Sequence, residues 1–240
     1  MRRVLFLAGL LCLAVLPVKA QDPVKVDPKH YKVDFENAQV RVLRINVGPH
    51  EKTPLHEHPA SVVVWLTDAH VQLTLPDGKT QENSPKAGQA AWEAAAKHWG
   101  ENLSGKPFEV IQVELKAKPA ATQPAKVQSG LDPVKVDPKH NKVEFENAQV
   151  RVLRANLGPH EKNLMHEHPA NVVVFLTAAH VKFTFPDGKT EERHGKAGQS
   201  VWGAGEKHEA ENVGDKPMEV IQIELKAKPG AAKPAKKKAG

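Results

Sequence analysis

The sequence has almost no cysteine, since Cys12 is the only one among its 240 residues. Because Cys12 lies in a segment that we expect to be removed, a mature chain would hold no thiol. Disulfides, thiolate metal sites and cysteine nucleophiles are therefore excluded. The sequence also lacks a G-x-S-x-G motif, a P-loop and a dinucleotide-binding glycine motif. Nothing in it supports the chemistries that depend on those motifs.

The middle of the chain has no excess of basic residues. The formal charge is +6 at pH 7, but nine basic residues lie at the two ends: Arg2, Arg3 and Lys19, and six lysines within residues 226–240. Without these nine, 25 basic residues remain against 28 acidic ones. We therefore expect no nucleic-acid-binding face on the folded part.

A hydrophobic run long enough to span a membrane is absent too. The apolar stretch at residues 4–16 has thirteen residues, whereas a bilayer core needs about 20. We therefore predict no stable membrane insertion. This stretch follows two arginines and precedes Val18-Lys19-Ala20, which predicts a signal peptide over residues 1–20 and cleavage near Ala20. The protein would then be exported, to the periplasm or the extracellular space; an uncleaved anchor or a buried strand is the alternative.

The dominant feature of the chain is an internal duplication. Residues 22–118 align without a gap with residues 132–228, and 68 of these 97 pairs are identical. An offset of 110 residues is the size of a domain and too long for a solenoid repeat. The predicted organisation is a domain at 22–115, a Pro/Ala-rich linker at 116–131, a second domain at 132–225 and a disordered Lys-rich tail at 226–240.

Each domain has the sequence pattern of a β-protein. Residues 71–75 and 111–115 alternate between apolar and polar side chains, and Pro76-Asp77-Gly78 predicts a turn after the first of these runs. Short strands with turn signals every 8–12 residues or so predict a β-sandwich or barrel. Residues 93–97 (EAAAK) have helical propensity, but their second copy reads GAGEK, which argues against a helix there.

Histidines carry the most informative pattern. His56 and His58 are two residues apart, so on a β-strand both imidazoles point to one face and could share a divalent ion. A third ligand must come from another strand, and His98 is the best candidate. The second copy repeats the set as His166, His168 and His208. The alternative is that these histidines make only hydrogen bonds.

The order of these residues resembles a known family. Gly48 with His56-x-His58, followed by Gly88 with His98-x-x-x-Asn102, looks like the two motifs of the cupin superfamily, and the match covers about residues 40–115 and 150–225. The resemblance implies an all-β protein with two tandem jelly-roll (double-stranded β-helix) barrels, a bicupin similar to small bacterial cupins. It also implies one metal site per barrel, formed by His56, His58 and His98 and by His166, His168 and His208.

The sequence departs from the family pattern in two places. Where many members carry a glutamate after the HxH motif, this chain has Val62 and Val63, and valines again in the second copy. Val62 shares the strand parity of the two histidines, so we expect its methyl groups to form a wall of the site. The second motif also lacks the usual proline and is one residue short between Gly88 and His98.

The missing carboxylate affects the choice of metal and chemistry. A site of three imidazoles suits Fe, Zn, Ni or Cu better than Mn, and it leaves coordination positions open. It resembles the three-histidine cupin dioxygenases, so the first hypothesis is an exported dioxygenase-like metalloenzyme with a small organic substrate. The alternatives are a non-catalytic metal or small-ligand binding protein and a scaffold without metal. No catalytic residue can be assigned, and packing between barrels or between chains stays open.

Overall fold

The structure is a computed structural model that describes residues 21–116 and 130–226. Each of these two segments begins with a four-residue helix and continues with nine β-strands. The order of elements is the same in both segments, as expected from the duplication in the sequence. We call the first segment barrel 1 and the second barrel 2.

The elements of barrel 1 are α1 (Pro23–Val26), β1 (Tyr31–Glu36), β2 (Val40–Val47), β3 (Lys52–His58), β4 (Ser61–Trp65), β5 (Val71–Thr74), β6 (Thr80–Asn83), β7 (Ala90–Glu93), β8 (Ala96–Asn102) and β9 (Phe108–Leu115). Those of barrel 2 are α2 (Pro133–Val136), β10 (Asn141–Glu146), β11 (Val150–Leu157), β12 (His166–His168), β13 (Asn171–Phe175), β14 (Ala179–Thr184), β15 (Thr190–Gly195), β16 (Ser200–Gly203), β17 (Glu206–Asn212) and β18 (Met218–Leu225). Residues 93–97 thus contain the end of β7 and the start of β8, and no helix.

Each barrel consists of two antiparallel sheets. In barrel 1 the five-stranded sheet has the order β1-β2-β9-β4-β7 and the four-stranded sheet the order β3-β8-β5-β6. Barrel 2 repeats them as β10-β11-β18-β13-β16 and β12-β17-β14-β15. Most neighbours in space, such as β2 with β9 and β3 with β8, are far apart in sequence, which is the winding of a jelly roll. The predicted all-β class with two tandem jelly-roll barrels is confirmed.

A short segment before β1 packs against β1 and β3. Asp22 caps α1, because its carboxylate accepts a hydrogen bond from the Val24 backbone N–H at 3.0 Å. The buried imidazole of His30 then lies between two carboxylates, with Nδ1 at 2.6 Å from Asp27 Oδ2 and Nε2 at 2.8 Å from Glu51 Oε2. This arrangement ties the helix to the turn before β3.

The two barrels pack against each other through their five-stranded sheets. One apolar cluster contains fully buried side chains of both barrels, among them Ile111 and Ile221. Separate clusters fill the two interiors, with Val110 in barrel 1 and Val220 in barrel 2. Because neighbouring residues of a strand point to opposite faces, β9 and β18 are buried on both sides.

Reciprocal hydrogen bonds join the barrels at the edge of this interface. Arg44 Nη2 donates to the carbonyl oxygen of Gly198 at 2.7 Å, and Arg154 Nη2 donates to that of Gly88 at the same distance. Both glycines have positive φ, 81° for Gly88 and 76° for Gly198, which favours glycine there. The duplicated chain thus makes the kind of contact that a two-fold dimer makes.

The expected role of Val62 is wrong. Its side chain is fully buried in the cluster between the barrels, whereas the neighbouring Val63 lines the cavity of barrel 1. Strand parity does not carry over from His58 because β3 ends there and β4 begins only at Ser61. The chain bends between the two strands, so the alternation of faces starts anew.

Three predicted segments lie wholly or mostly outside the described residues. They are the signal peptide at residues 1–20, the linker, of which residues 117–129 are not described, and the tail from residue 227 onwards; all three remain predictions. Within the two segments that the structure describes, no helix has the length and apolar character required to cross a bilayer.

The interface between the barrels predicts a large effect of a small truncation. Ile111 is fully buried in the shared cluster, so Ile111→Ala should lower the free energy of unfolding by about 2–5 kcal/mol. Val33→Ala is the control, because Val33 is 42% exposed on β1 and should change stability by less than about 1 kcal/mol. Urea unfolding measures both, and equal effects of the two variants would contradict the interface.

Candidate metal centres

The three imidazoles of barrel 1 converge inside the barrel. His56 and His58 point inward from β3, and His98 is the register partner of His56 on the adjacent strand β8. Their ring centroids are 4.9 Å apart for His56 and His58, 4.6 Å for His56 and His98, and 5.6 Å for His58 and His98. One nitrogen from each ring lies within 4.8 Å of the others.

Barrel 2 repeats this arrangement closely. His166 on β12 pairs in register with His208 on β17, and the centroid distances are 4.7, 4.8 and 5.6 Å for the pairs 166–168, 166–208 and 168–208. All three histidines are buried. We call each set of three a histidine triad. The histidines of the sequence motifs therefore lie close together in both barrels.

Strand alternation separates the triad from the charged residues between its members. Glu57 lies between His56 and His58 and points outward, where its carboxylate is 3.3 Å from Lys97 Nζ. Both of these charged side chains are 48% exposed. The interior face of β3 and β8 therefore presents imidazoles, while the exterior face presents charge.

The Nδ1 atoms of the paired histidines are held by acceptors in the protein. His56 Nδ1 donates to the carbonyl oxygen of Pro54 at 2.7 Å, and His166 Nδ1 donates to that of Leu164 at 2.6 Å. A carbonyl oxygen can only accept, so each Nδ1 carries the hydrogen and each Nε2 has a free lone pair. This is the tautomer that a metal ligand needs.

A buried carboxylate holds the second histidine of each triad. His58 Nδ1 lies 2.7 Å from Glu114 Oε1, and His168 Nδ1 lies 2.7 Å from Glu224 Oε1. Glu114 also accepts a hydrogen bond from Arg41 Nε at 2.6 Å, and Arg41 pairs in turn with Asp22. A line of alternating charges thus connects the triad of barrel 1 to the cap of α1.

No sequence motif indicated these two glutamates as partners of the histidines. Glu114 occupies a polar position in the alternating run at residues 111–115, which predicts a solvent-facing side chain if only one face of the strand is buried. In the structure Glu114 is 1% exposed and Glu224 is 3% exposed. The opposite face of each strand is buried by the other barrel, so the polar positions point into the barrel interior.

The triads are electrostatically suited to bind a cation as neutral ligands. Burial, together with the neighbouring imidazoles, lowers the pKa of His56 to about 4 and that of His98 to about 3. The same causes lower the pKa of His166 and of His168 to about 3. These four rings are therefore uncharged at neutral pH, with lone pairs available for a metal.

The two triads differ in what occupies the free ring nitrogens. In barrel 1 the Tyr31 hydroxyl donates to His56 Nε2 at 3.0 Å, and burial raises the pKa of this hydroxyl. Asn141 replaces Tyr31 in barrel 2. There, His168 Nε2 is buried and has no hydrogen-bond partner, whereas the Glu206 carboxylate lies 3.2 Å from His208 Nδ1. Tyr31 is a residue of the site that the histidine motifs did not indicate.

The residues of both triads fit a divalent metal. Each set offers three neutral imidazole nitrogens inside the barrel, which is a donor set that first-row divalent metals accept. A buried nitrogen without a partner is costly, and His168 Nε2 in barrel 2 is explained if a ligand satisfies it. Each triad also borders a cavity, of about 360 Å³ in barrel 1 and about 130 Å³ in barrel 2.

Comparison with known proteins establishes the fold. No protein-family model matches the chain, and no curated protein sequence matches it. The crystal structure of AerE from Microcystis aeruginosa is similar with a TM-score of 0.61 and 14% identity, over 86% of this chain and 97% of that one. A structure of Bacillus subtilis oxalate decarboxylase, an enzyme with Mn(II) centres, has a TM-score of 0.56 and 13% identity, over 80% of this chain and 70% of that one. These similarities support a cupin-like fold in this chain.

The buried contact between Glu114, His58 and Arg41 predicts a specific loss of stability. Glu114→Gln keeps the shape of the side chain but removes the charge that both partners face. We expect the free energy of unfolding to fall by about 1–3 kcal/mol. Glu109→Gln is the matched control on the same strand, because Glu109 pairs with Arg44 at 33% exposure and should cost less than about 1 kcal/mol. Chemical denaturation compares the two, and a larger loss for Glu109→Gln would contradict the assignment.

Proposed function

We propose that this protein is a bicupin of the cupin superfamily that binds one divalent first-row metal ion in each barrel. The proposed ligands are His56, His58 and His98 in barrel 1 and His166, His168 and His208 in barrel 2. The observation that carries the proposal is the convergence of three buried or half-buried imidazoles in each barrel, with one nitrogen of each ring within 4.8 Å of the others. A merely structural histidine cluster would have its ring nitrogens satisfied, and His168 Nε2 in barrel 2 is not.

The chain's own residues would orient the ligands and limit access to them. Pro54 and Glu114 accept from the Nδ1 atoms of His56 and His58 and thereby aim each Nε2 at the centre of the barrel. The Tyr31 hydroxyl donates a hydrogen bond to His56 Nε2, so it must turn away when that nitrogen binds another partner. When bound, a metal held by three neutral imidazoles would supply Lewis-acid character and open coordination positions.

The donor set favours Fe, Zn, Ni or Cu over Mn. No carboxylate is among the proposed ligands, and Mn prefers oxygen donors. Glu114 and Glu224 contact Nδ1 atoms of the triads, so we assign them to orienting the histidines and not to binding the metal. The Mn(II) centres of the oxalate decarboxylase with a similar fold belong to that protein; an excess of Mn over the other metals in the purified protein would contradict our preference.

The activity that this arrangement favours is dioxygenase-like chemistry on a small organic molecule. The support is the cavity of about 360 Å³ beside the triad of barrel 1, which has the size of small-molecule sites. The alternative is a non-catalytic metal-binding protein, and the cavity of only about 130 Å³ in barrel 2 favours it for that half of the chain. Oxygen uptake with diketones, thiols and phenols distinguishes the two.

We also propose export, followed by removal of residues 1–20. The support is the sequence alone, namely two arginines before an apolar run and small residues that end at Ala20. The layout of two barrels with a linker at 116–131 and a tail at 226–240 belongs to the same proposal. N-terminal sequencing of protein expressed in a secretion-competent host should begin at Gln21, and a mature chain that still begins at Met1 would overturn the proposal.

The decisive test of metal binding is the metal content of ligand variants. His98→Ala and His208→Ala should each remove about one of two metal equivalents per chain, and the double variant should bind none. His70→Ala is the control, because His70 is 40% exposed and pairs with Glu82. Elemental analysis of protein purified without chelator measures the stoichiometry, and circular dichroism checks the fold. Full metal content in a folded double variant would refute the proposed ligands.

A further inference from the structure

The two cavities differ far more than the two triads. The histidine rings have nearly the same spacing in both barrels, with the widest pair 5.6 Å apart in each. Yet the cavity beside them is about 360 Å³ in barrel 1 and about 130 Å³ in barrel 2. The difference must therefore come from the side chains around the triads.

Three substitutions between the copies place larger side chains on the cavity wall of barrel 2. At equivalent positions, Leu73, Asn83 and Ala96 of barrel 1 are replaced by Phe183, Arg193 and Glu206. All six side chains line their respective cavities. We call the three residues of barrel 2 the Phe183 plug.

The members of the Phe183 plug contact one another and the triad. The Phe183 ring packs edge-on against His208 with centroids 4.8 Å apart, and Arg193 Cζ lies 4.6 Å from the Phe183 centroid. Arg193 Nη1 donates to Glu206 Oε1 at 3.0 Å, and the same carboxylate oxygen lies 3.2 Å from His208 Nδ1. An aromatic ring clamped between a histidine and an arginine is a packed structure, and it leaves little room for an organic molecule.

Barrel 1 has smaller side chains where barrel 2 has the plug. Its cavity is lined in part by apolar side chains, among them Val63, Trp65, Val71, Leu73, Phe108 and Val110, and in part by polar ones such as Gln81, Glu93 and Gln112. Among the described residues that line this cavity there is no lysine or arginine, so a phosphate group would find no cationic side chain. The apolar part of the lining fits a molecule with an apolar body.

We propose that the two barrels have different tasks: barrel 1 takes an apolar organic molecule beside its triad, whereas the Phe183 plug reserves barrel 2 for the metal ion alone. The inference rests on the proposed function, because it assigns both triads to metal. It adds the class of ligand and the barrel in which that ligand binds. The duplication has in this view produced one open and one closed version of the same site.

The duplication also supplies matched variants for the test. Leu73→Phe, Asn83→Arg and Ala96→Glu together install the plug in barrel 1, and Phe183→Leu, Arg193→Asn and Glu206→Ala together remove it from barrel 2. The probe is 2-naphthol, which has an apolar body and one hydroxyl, with glucose as a polar comparison of similar size. Equilibrium dialysis against the Zn²⁺-loaded full chain counts bound probe, and elemental analysis counts zinc in the same samples.

The expected stoichiometries separate this proposal from the metal assignment. Wild type should bind about one 2-naphthol per chain, the variant with a plugged barrel 1 none, and the variant with an opened barrel 2 about two. Zinc should stay at about two equivalents in all three, since no proposed ligand is changed. If the protein takes up no zinc but still binds one 2-naphthol, the metal assignment is refuted, whereas the difference between the two cavities stands.

Other outcomes overturn the further inference itself. Two probe equivalents on wild type, or one equivalent retained in the variant with a plugged barrel 1, would show that the plug does not control access. No 2-naphthol on wild type, or tighter binding of glucose, would refute the apolar ligand class. Should a triple variant fail to fold, the single substitutions Leu73→Phe and Phe183→Leu carry the same comparison, with loss of binding expected for the first and gain for the second.

Discussion

Burial of three imidazoles inside each barrel is the constraint on which the rest of the structure depends. A ring nitrogen that leaves water needs a partner, because an unsatisfied buried polar atom costs about 1–3 kcal/mol. The protein provides these partners for the Nδ1 atoms of His56 and His58, through Pro54 and Glu114. The inward-facing nitrogens are left to Tyr31 or to a ligand. Burial also lowers the pKa of His56 and His98, so these rings face the cavity as neutral donors.

The sheet that carries the triads differs from the sheet that joins the barrels. His56, His58 and His98 lie on the four-stranded sheet, and the five-stranded sheet forms the interface. The two are linked by β9, whose residue Ile111 lies between the barrels while Glu114 points inward to His58. The face of β9 that packs on the other barrel is thus apolar, and the inward face carries the carboxylate that contacts a histidine.

The two copies have retained the triads and changed the walls around them. Near-identity of the copies suggests two equal sites, whereas the cavity that Phe183 and Arg193 line is smaller than the one that Leu73 and Asn83 line. A few side chains in a preformed barrel therefore decide what can reach the histidines. A jelly roll tolerates such changes because its strand pairing is made by backbone hydrogen bonds.

The sequence by itself determined the duplication, the all-β class and the six histidines, because each depends on a pattern that is local or repeated. Strand alternation places His56 and His58 on one face, and the motif order points to His98. Only the tertiary structure decided the rest: that Val62 faces the other barrel, that Glu114 and Tyr31 contact histidines of the triad, and that Phe183 packs against His208. These roles depend on which face of a strand is covered and by what. A strand that is buried on both faces exposes none of its polar residues to solvent. No local pattern in the sequence shows that a second barrel buries the other face.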